Sequence, residues 1–504
     1  MKINLSRLNL LKLFNLEGLQ KTLVYIILLA IFVVFNFLAS YLPYRFDFSP
    51  GKAHALSSAT TKMLGKLDDI INIKVFISSD LPLRLLPLKT DVVDLINEYK
   101  KQGKGKIIVK NFDPKKDDKA LNEAKNLGIP ELQFSQIEKD KYAVSTTYFG
   151  VAIQYGDKKE VIPQATNLES LEHDITSSIY KISRKETIKI GLLGAGESFT
   201  PQEDDFYTLK KVLQQQFELN YLNLSLDSKT KIDPSLKTLL VFDDNKKQYS
   251  TDEATIIRDY IKNKGKAIFM IDAVYISEGL QTQPATHNLF SIFESYGINL
   301  NKNLVLSNSS EMASFTTGTV SFFTPYPFWV KTANFSDKST EFSNIGVLVF
   351  PWTSSIDINK KEGIEIKVLV KSEKNSWEQK GPPAGGFVLM PNNIPNPDQN
   401  ELKQFNLIVE AKAKNGGQFV LIPSSRFVRE QFLARGRGNV EFLLNLINNY
   451  ASQGALSGIR GRAVFAAPIK EMSENTKDIV KYLNILLLPG FFGLFGAWRL
   501  LKRK

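Results

Sequence analysis

Two uncharged apolar runs bracket the chain. The first, Thr22–Leu42 (TLVYIILLAIFVVFNFLASYL), holds 21 residues without a charge. As a helix at 1.5 Å per residue it spans roughly 30 Å, the thickness of a bilayer's hydrocarbon core. A secretory leader has an apolar stretch of only about 7–15 residues, closed by small residues. Here Tyr41, Leu42, Pro43 and Tyr44 stand in that place, so the run predicts a retained transmembrane helix over 22–42. The second run, Tyr482–Trp498 (YLNILLLPGFFGLFGAW), continues through Leu500 and Leu501 past Arg499. Its Pro489, Gly490, Gly493 and Gly496 are tolerated in a membrane and poor in a soluble helix. It predicts a second span over 482–501. Residues 1–21, leucine-rich at helical spacing, read equally as an interfacial helix or as a cytoplasmic tail.

Between the runs the periodicity switches between strand and helix. Ile71–Ser78 and Lys106–Asn111 read as strands, with helices Thr90–Lys101 and Asp118–Leu127. Strands Tyr142–Tyr155 and Lys159–Ile162 and a linking helix Leu168–Ser183 follow. The order β-α-β-α-β-β resembles a thioredoxin-like α/β unit over 43–183. A second α/β unit over 187–455 opens with strand Ile188–Leu193 and helix Glu203–Phe217. Strands Leu219–Leu224, Thr238–Asp243 and Lys266–Asp272 alternate with helices Asp252–Lys264 and Asn288–Tyr296. The strands are continuous apolar runs, the pattern of a parallel, doubly wound sheet covered on both faces. From about 308 to 400 the helical period disappears. Val320–Phe323, Ile345–Phe350, Ile364–Val370 and Gly386–Met390 alternate with Pro-rich turns, which predicts a β-rich insertion. Strands Phe405–Ala411 and Gln418–Ile422 and helix Val440–Tyr450 restore the α/β pattern. A linker over 456–481 leads to the second span, and 502–504 form a basic tail.

Charge changes this picture once it is located. The net +12 includes +3 in residues 1–21 and +4 in the last six residues, leaving +5 for everything between. Basic ends beside apolar runs read as membrane topology or lipid contact. No concentrated basic face points to nucleic acid. Both short tails are basic, so both termini are expected in the cytoplasm and the large middle outside the cytoplasmic membrane. Cysteine is absent, which excludes disulfide and thiol redox chemistry. His54, His173 and His287 are far apart and form no zinc pattern. No Walker A motif is present, so ATP hydrolysis would belong to another chain. No cofactor is expected.

Candidate chemistry gathers at expected strand ends. Gly191-Leu-Leu-Gly194-Ala-Gly196-Glu197 follows a strand and precedes a helix. It is not the dinucleotide GxGxxG, and Glu203, Asp204 and Asp205 at the next helix start would repel a phosphate. Gly194 and Gly196 read as a tight turn. Glu197, Asp243 with Asp244, and Asp272 fall at C-terminal ends of parallel strands, the edge where ligands of open α/β sheets bind. They are candidates for a ligand or partner surface or an oxygen-ligated cation site; solvated loop and cap positions are the plainer alternative. Neither histidine nor nucleophile is expected beside them. Ser424-Ser425-Arg426 follows a strand without a GxSxG elbow. The aromatic group Phe322, Phe323, Tyr326, Phe328 and Trp329 reads as core of the insertion or as a contact for a partner or lipid.

In order along the chain, RFDFSPGKAHALSSATTKML, VIPQATNLESLEHDITSSIYKI, IKIGLLGAGE, IFMIDAV, VLVFPWTSSI, SWEQKGP and IRGRAVFAAP, with a terminal run ending WRLLKRK, make up a set. It resembles the gliding-motility-type (GldG-like) auxiliary proteins of ABC-type uncharacterized transport systems. The resemblance implies a membrane-anchored accessory subunit working with a separate ABC permease and ATPase, with a flavodoxin-like, amidotransferase-like domain that lacks known catalysis. Two departures stand out. Ala195 replaces the histidine of the family's Gly-His-Gly-Glu turn, and Pro423-Ser-Ser-Arg-Phe427 replaces a Gly-Asp-Ser-Asp-Phe-like turn. A hydrolase or amidase with a carboxylate site and an envelope scaffold are the other readings that the residues leave open.

Overall fold

A computed structural model describes residues 16–41, 55–138, 141–184, 187–224, 231–243, 249–277, 279–317, 320–336, 340–342, 345–381, 386–414, 416–452 and 474–502. The expected tail up to residue 15, the segment following the first apolar run, most of the expected linker and Asp244 lie outside these. The chain divides into two units, Met1–Ala55 and Leu56–Lys504.

In the first unit, Leu16–Tyr41 is one helix of 26 residues. It starts six residues before the uncharged run, and its described side chains are exposed. In the second unit, the terminal helix Glu474–Leu501 carries Pro489 within it. Among the described residues, Thr476–Leu501 is the helix long and apolar enough to cross a bilayer; the apolar stretch Val24–Phe35 is shorter.

The second unit begins with a five-stranded sheet. Ile71–Ile77 lies parallel to Ile107–Phe112 and antiparallel to Lys141–Tyr155, which also pairs with Lys158–Ile162. Glu131–Glu138 pairs residue for residue with Lys141–Tyr148. That strand has no counterpart in the sequence reading, because its polar alternation (ELQFSQIE) carries little apolar signal. Ser57 caps the helix Ser58–Leu64 by accepting from Thr60 N, as its position before an apolar period leads one to expect. The helix Leu168–Ile182 buries Leu171, Ile175 and Ile179 in the same core, the i, i+4, i+8 stripe of one helical face.

A seven-stranded sheet organises the rest. Its spatial order is Ile364–Lys371, Asn406–Ala413, Gln418–Ile422, Lys266–Met270, Thr238–Phe242, Lys189–Leu193, Glu218–Leu222. The last five are mutually parallel; the first two are antiparallel additions. The sheet is therefore mixed rather than wholly parallel. Alternate residues of its central strands enter two separate cores. Leu240, Phe242, Ile268, Met270, Val420 and Ile422 face one, and Leu239, Val241, Ala267, Phe269, Phe419 and Leu421 the other. Burial on both faces explains why these strands read as unbroken apolar runs. The helix Thr251–Lys262 starts at a capping box between Ser250 and Glu253.

Three expectations change. The helix expected from Glu203 starts at Tyr207, because Asp204 is drawn instead toward the buried Lys210, whose Nζ lies 2.9 Å from its Oδ2. Gly386–Met390 is not a strand. The β-rich stretch is broader than expected: Ile298–Leu300 pairs with Ile356–Ile358, Asn303–Ser307 with Ser376–Lys380, and Ser310–Thr317 with Val320–Thr332. The first four of these strands, three to five residues long, give too short a period to recognise without their partners.

Candidate functional site

The C-terminal ends of Thr238–Phe242, Lys266–Met270 and Gln418–Ile422 lie side by side, and the buried polar residues Asp243, Asp272 and Ser425 follow them by one, two and three positions. Asp243 and Asp272 are 0% and 1% exposed. Asp272 N donates to Asp243 Oδ2 at 3.2 Å. The two carboxylates are thus stitched together through the backbone of adjacent strands.

Each has its own set of donors. Ser425 gives Asp272 its backbone N–H (2.7 Å to Oδ1) and its hydroxyl (2.6 Å to Oδ2). Arg426 Nη1 approaches the same Oδ2 at 3.4 Å, while its Nη2 donates to Ile276 O at 2.5 Å. His287 Nε2 is 2.7 Å from Asp243 Oδ2 and 2.5 Å from the Tyr275 hydroxyl. His287 Nδ1 is buried without a hydrogen-bond partner. A proton on Nε2 makes it the donor to the Asp243 carboxylate. Arg429 Nη2 donates to Asp243 O at 2.8 Å and Nη1 to Asp205 Oδ2 at 2.8 Å. Burial, partly offset by Arg426 and reinforced by the neighbouring Asp243, holds the Asp272 carboxyl above the ordinary carboxylate range. Against this cluster lies Trp352, a non-glycine residue at φ +47°, with the Arg426 guanidinium 5.1 Å above its ring. Non-glycine residues in that region are uncommon and costly, and persist where surrounding packing enforces them.

The expected site residues do not form one group. Asp243 and Asp272 come together inside the protein. Glu197 is exposed on the loop after Lys189–Leu193. Asp244 lies outside the described residues. Gly194 has φ +84°, and a Cβ there would fall 2.3 Å from Phe242 O and 2.7 Å from the Tyr249 hydroxyl. A side chain is excluded on both counts. Gly196, at φ +64°, faces open space. The loop between them and the next helix is held by Lys210, fully buried, which donates to Gly196 O at 3.0 Å and Ser198 O at 2.9 Å.

The expectation that neither histidine nor nucleophile stands near the carboxylates is corrected: His287 is bonded to Asp243 and Ser425 to Asp272. The pairs are nevertheless not a nucleophile–base–acid relay. The Ser425 hydroxyl donates straight to a carboxylate, and His287 is bonded to the other carboxylate and a phenol. Ser425, His287 and both aspartates are 4% exposed or less. As it stands, the arrangement can brace loops and store buried polarity; it presents no solvent-facing nucleophile. The sequence signal for it was faint. His287 is 44 positions from Asp243 and Ser425 is 153 from Asp272. Only the placement of Ser425-Arg426 just past a core strand could have suggested it. Among the described residues no cluster of three potential metal ligands occurs.

Residues 51–154 match a domain of unknown function (DUF7088). An uncharacterized protein of Borreliella burgdorferi is 24% identical over 483 residues, covering 92% of this chain and 94% of its own. Among solved structures, the mmIFT52 N-terminal domain overlaps 53% of this chain and 98% of its own at 12% identity and a TM-score of 0.36. A putative ThuA-like protein of Bacteroides uniformis overlaps 54% of this chain and 97% of its own at 12% identity and a TM-score of 0.32. Residues 187–422, which contain the seven-stranded sheet and the buried carboxylates, match the model of a further family. Over that segment the chain matches the family described as an ABC-type uncharacterized transport system.

Proposed function

We propose that this protein is a non-enzymatic auxiliary subunit of an ABC transport system, held at the cytoplasmic membrane by apolar helices near both ends. In this reading the permease and the ATPase are separate chains, and the two α/β regions, thioredoxin-like and then amidotransferase-like, stand outside the membrane. The observation that carries it is the closed state of the one edge where chemistry would be sought. Asp243 and Asp272 are buried and their oxygens are occupied by Ser425, Arg426 and His287. Such a network suits an edge that is shaped to be recognised, with exposed Glu197 offered to a partner or ligand. The family match over 187–422 supports the transport context.

A hydrolase or amidase reading has the Asp272–Ser425 and Asp243–His287 pairs in its favour. It requires a reactive oxygen to meet substrate, and Ser425 is 1% exposed. We therefore rank it second. The deciding experiment is affinity capture of the tagged full-length chain from detergent-solubilised membranes of its own host. Recovery of an ABC permease and ATPase in stoichiometric amounts is expected. Capture of envelope proteins with neither would overturn the reading in favour of a scaffold.

A further inference from the structure

We propose that the outer face of the hairpin Ser310–Thr317/Val320–Thr332 is a lipid-contacting surface that seats Phe323 in the headgroup region of the bilayer. This rests on the membrane-anchored reading above.

The hairpin is set apart by its charge pattern. Met312–Val330 is 19 consecutive residues without a charged side chain, in a chain that is 23% charged. Charges return at its two ends, Glu311 and Lys331, and there they pair with each other at 3.1 Å. The strand register puts Met312 opposite Pro325, Ser314 opposite Phe323 and Thr316 opposite Ser321, and directly opposed residues share a face. All six are exposed. The other face turns inward: Ala313 and Tyr326 are buried, and Phe315 packs on Phe322 and Tyr326 at ring distances of 6.0 and 5.0 Å. The aromatic group expected to act as one is therefore divided. Tyr326, Phe328 and Trp329 are core, whereas Phe323 is 67% exposed, more than any other described aromatic outside the two apolar helices.

Several features select lipid as the occupant. A face bound by a soluble protein usually has a charged rim; between the Glu311–Lys331 pair at its ends this one carries hydroxyls and no charge. Two of its polar members serve each other, since the Thr316 and Ser321 hydroxyls are 2.9 Å apart, which lowers the cost of removing those two from water. Phenylalanine, methionine, proline and paired hydroxyls without charge suit the boundary between headgroups and acyl chains. Unpaired strand edges cannot enter the hydrocarbon core, which limits the depth to about 5–10 Å. A bilayer is also within reach. The 21 residues between Ser452 and Glu474 can span up to roughly 70 Å, against a radius of gyration of about 21 Å for a folded body of some 400 residues. The length of that segment alone therefore does not hold the hairpin off the membrane.

The absence of cysteine makes the test clean, because any introduced thiol is the sole labelling site. Full-length F323C and M312C, and K116C at an exposed position elsewhere, would each carry an environment-sensitive fluorophore in phosphatidylcholine–phosphatidylglycerol vesicles. We expect the 323 and 312 labels to be blue-shifted and quenched several-fold more by a shallow lipid-borne nitroxide than the 116 label, and shielded from iodide. Equal iodide quenching at 323 and 116 in protein that resists carbonate extraction would overturn the lipid contact while leaving the anchoring intact. Extraction of the whole chain by carbonate would overturn both. Shielding that arises only when a permease is co-reconstituted would overturn it in favour of a protein contact.

Discussion

Asp272 concentrates the residue-scale argument. It is buried, it is the acceptor for the Ser425 N–H and hydroxyl, and it is the carboxylate nearest Arg426, whose side chain is only 11% exposed. Asp272→Ala would leave a guanidinium and an N–H buried without their acceptor, a loss of about 3–5 kcal/mol for breaking such a pair from one side. Unfolding of the detergent-solubilised full chain reads this directly, and a change within experimental error would show that the network is not structural. The same residue sets a pH dependence. Burial raises its folded-state pKa above an unfolded value of about 3.9. Its contribution to stability is then fully present below that unfolded value and is lost as pH rises through the folded one. Asp272→Asn retains an acceptor for Ser425 and cannot ionise. The variant should therefore gain on the wild type as pH is raised from about 4; a difference that stays flat with pH would contradict the raised value.

At the scale of elements, what the sequence made legible follows from burial. Thr238–Phe242, Lys266–Met270 and Gln418–Ile422 are covered on both faces, so continuous apolar runs announced them. The C-terminal edge rule then found Asp243 and Asp272 from strand ends alone. It could not find His287, Ser425 or Arg426, because the loops that deliver them are long-range and carry no local period. Nor could it separate Glu197 from the other carboxylates, since exposure depends on the loop that Lys210 pins. The small sheets of the insertion were missed for the reason that short strands are defined by their partners. One junction illustrates a long-range tie of this kind. Gln216, 2% exposed, joins the helix Leu168–Ile182 to the helix Arg437–Ser452. Its Nε2 lies 2.8 Å from His173 Nε2 and donates to Ser177 Oγ at 3.0 Å, and its Oε1 accepts from Asn448 at 3.0 Å. Gln216→Ala strands the buried Ser177 and Asn448, at about 1–3 kcal/mol for each group left unsatisfied. Amide hydrogen exchange in Leu168–Ile182 should accelerate measurably, and unchanged protection there would mean that apolar packing alone holds the helix.

At the scale of the whole molecule, sequence and fold agree on where charge is allowed. Net positive charge gathers at the ends of the chain, beside uncharged runs; the terminal helix Glu474–Leu501 reaches Arg499 and is followed by Lys502. Short basic flanks are retained in the cytoplasm, whereas a long intervening segment translocates largely irrespective of its own charge. If both apolar helices cross the membrane, the basic ends share one side and the sheets stand on the other. If only the terminal helix crosses, the chain's start is free to lie on the opposite side from its end. A cysteine-free chain separates these cases with single substitutions and a membrane-impermeant maleimide on intact cells or spheroplasts. Lys116→Cys, on the body of the protein, should label from outside. Lys2→Cys and Lys502→Cys should label only after the membrane is opened. External labelling of Lys2→Cys would reduce the anchor to one span, and external labelling of Lys502→Cys with protection of Lys116→Cys would invert the topology. The inverted result would place the α/β body in the cytoplasm, where an extracytoplasmic role beside a permease no longer follows.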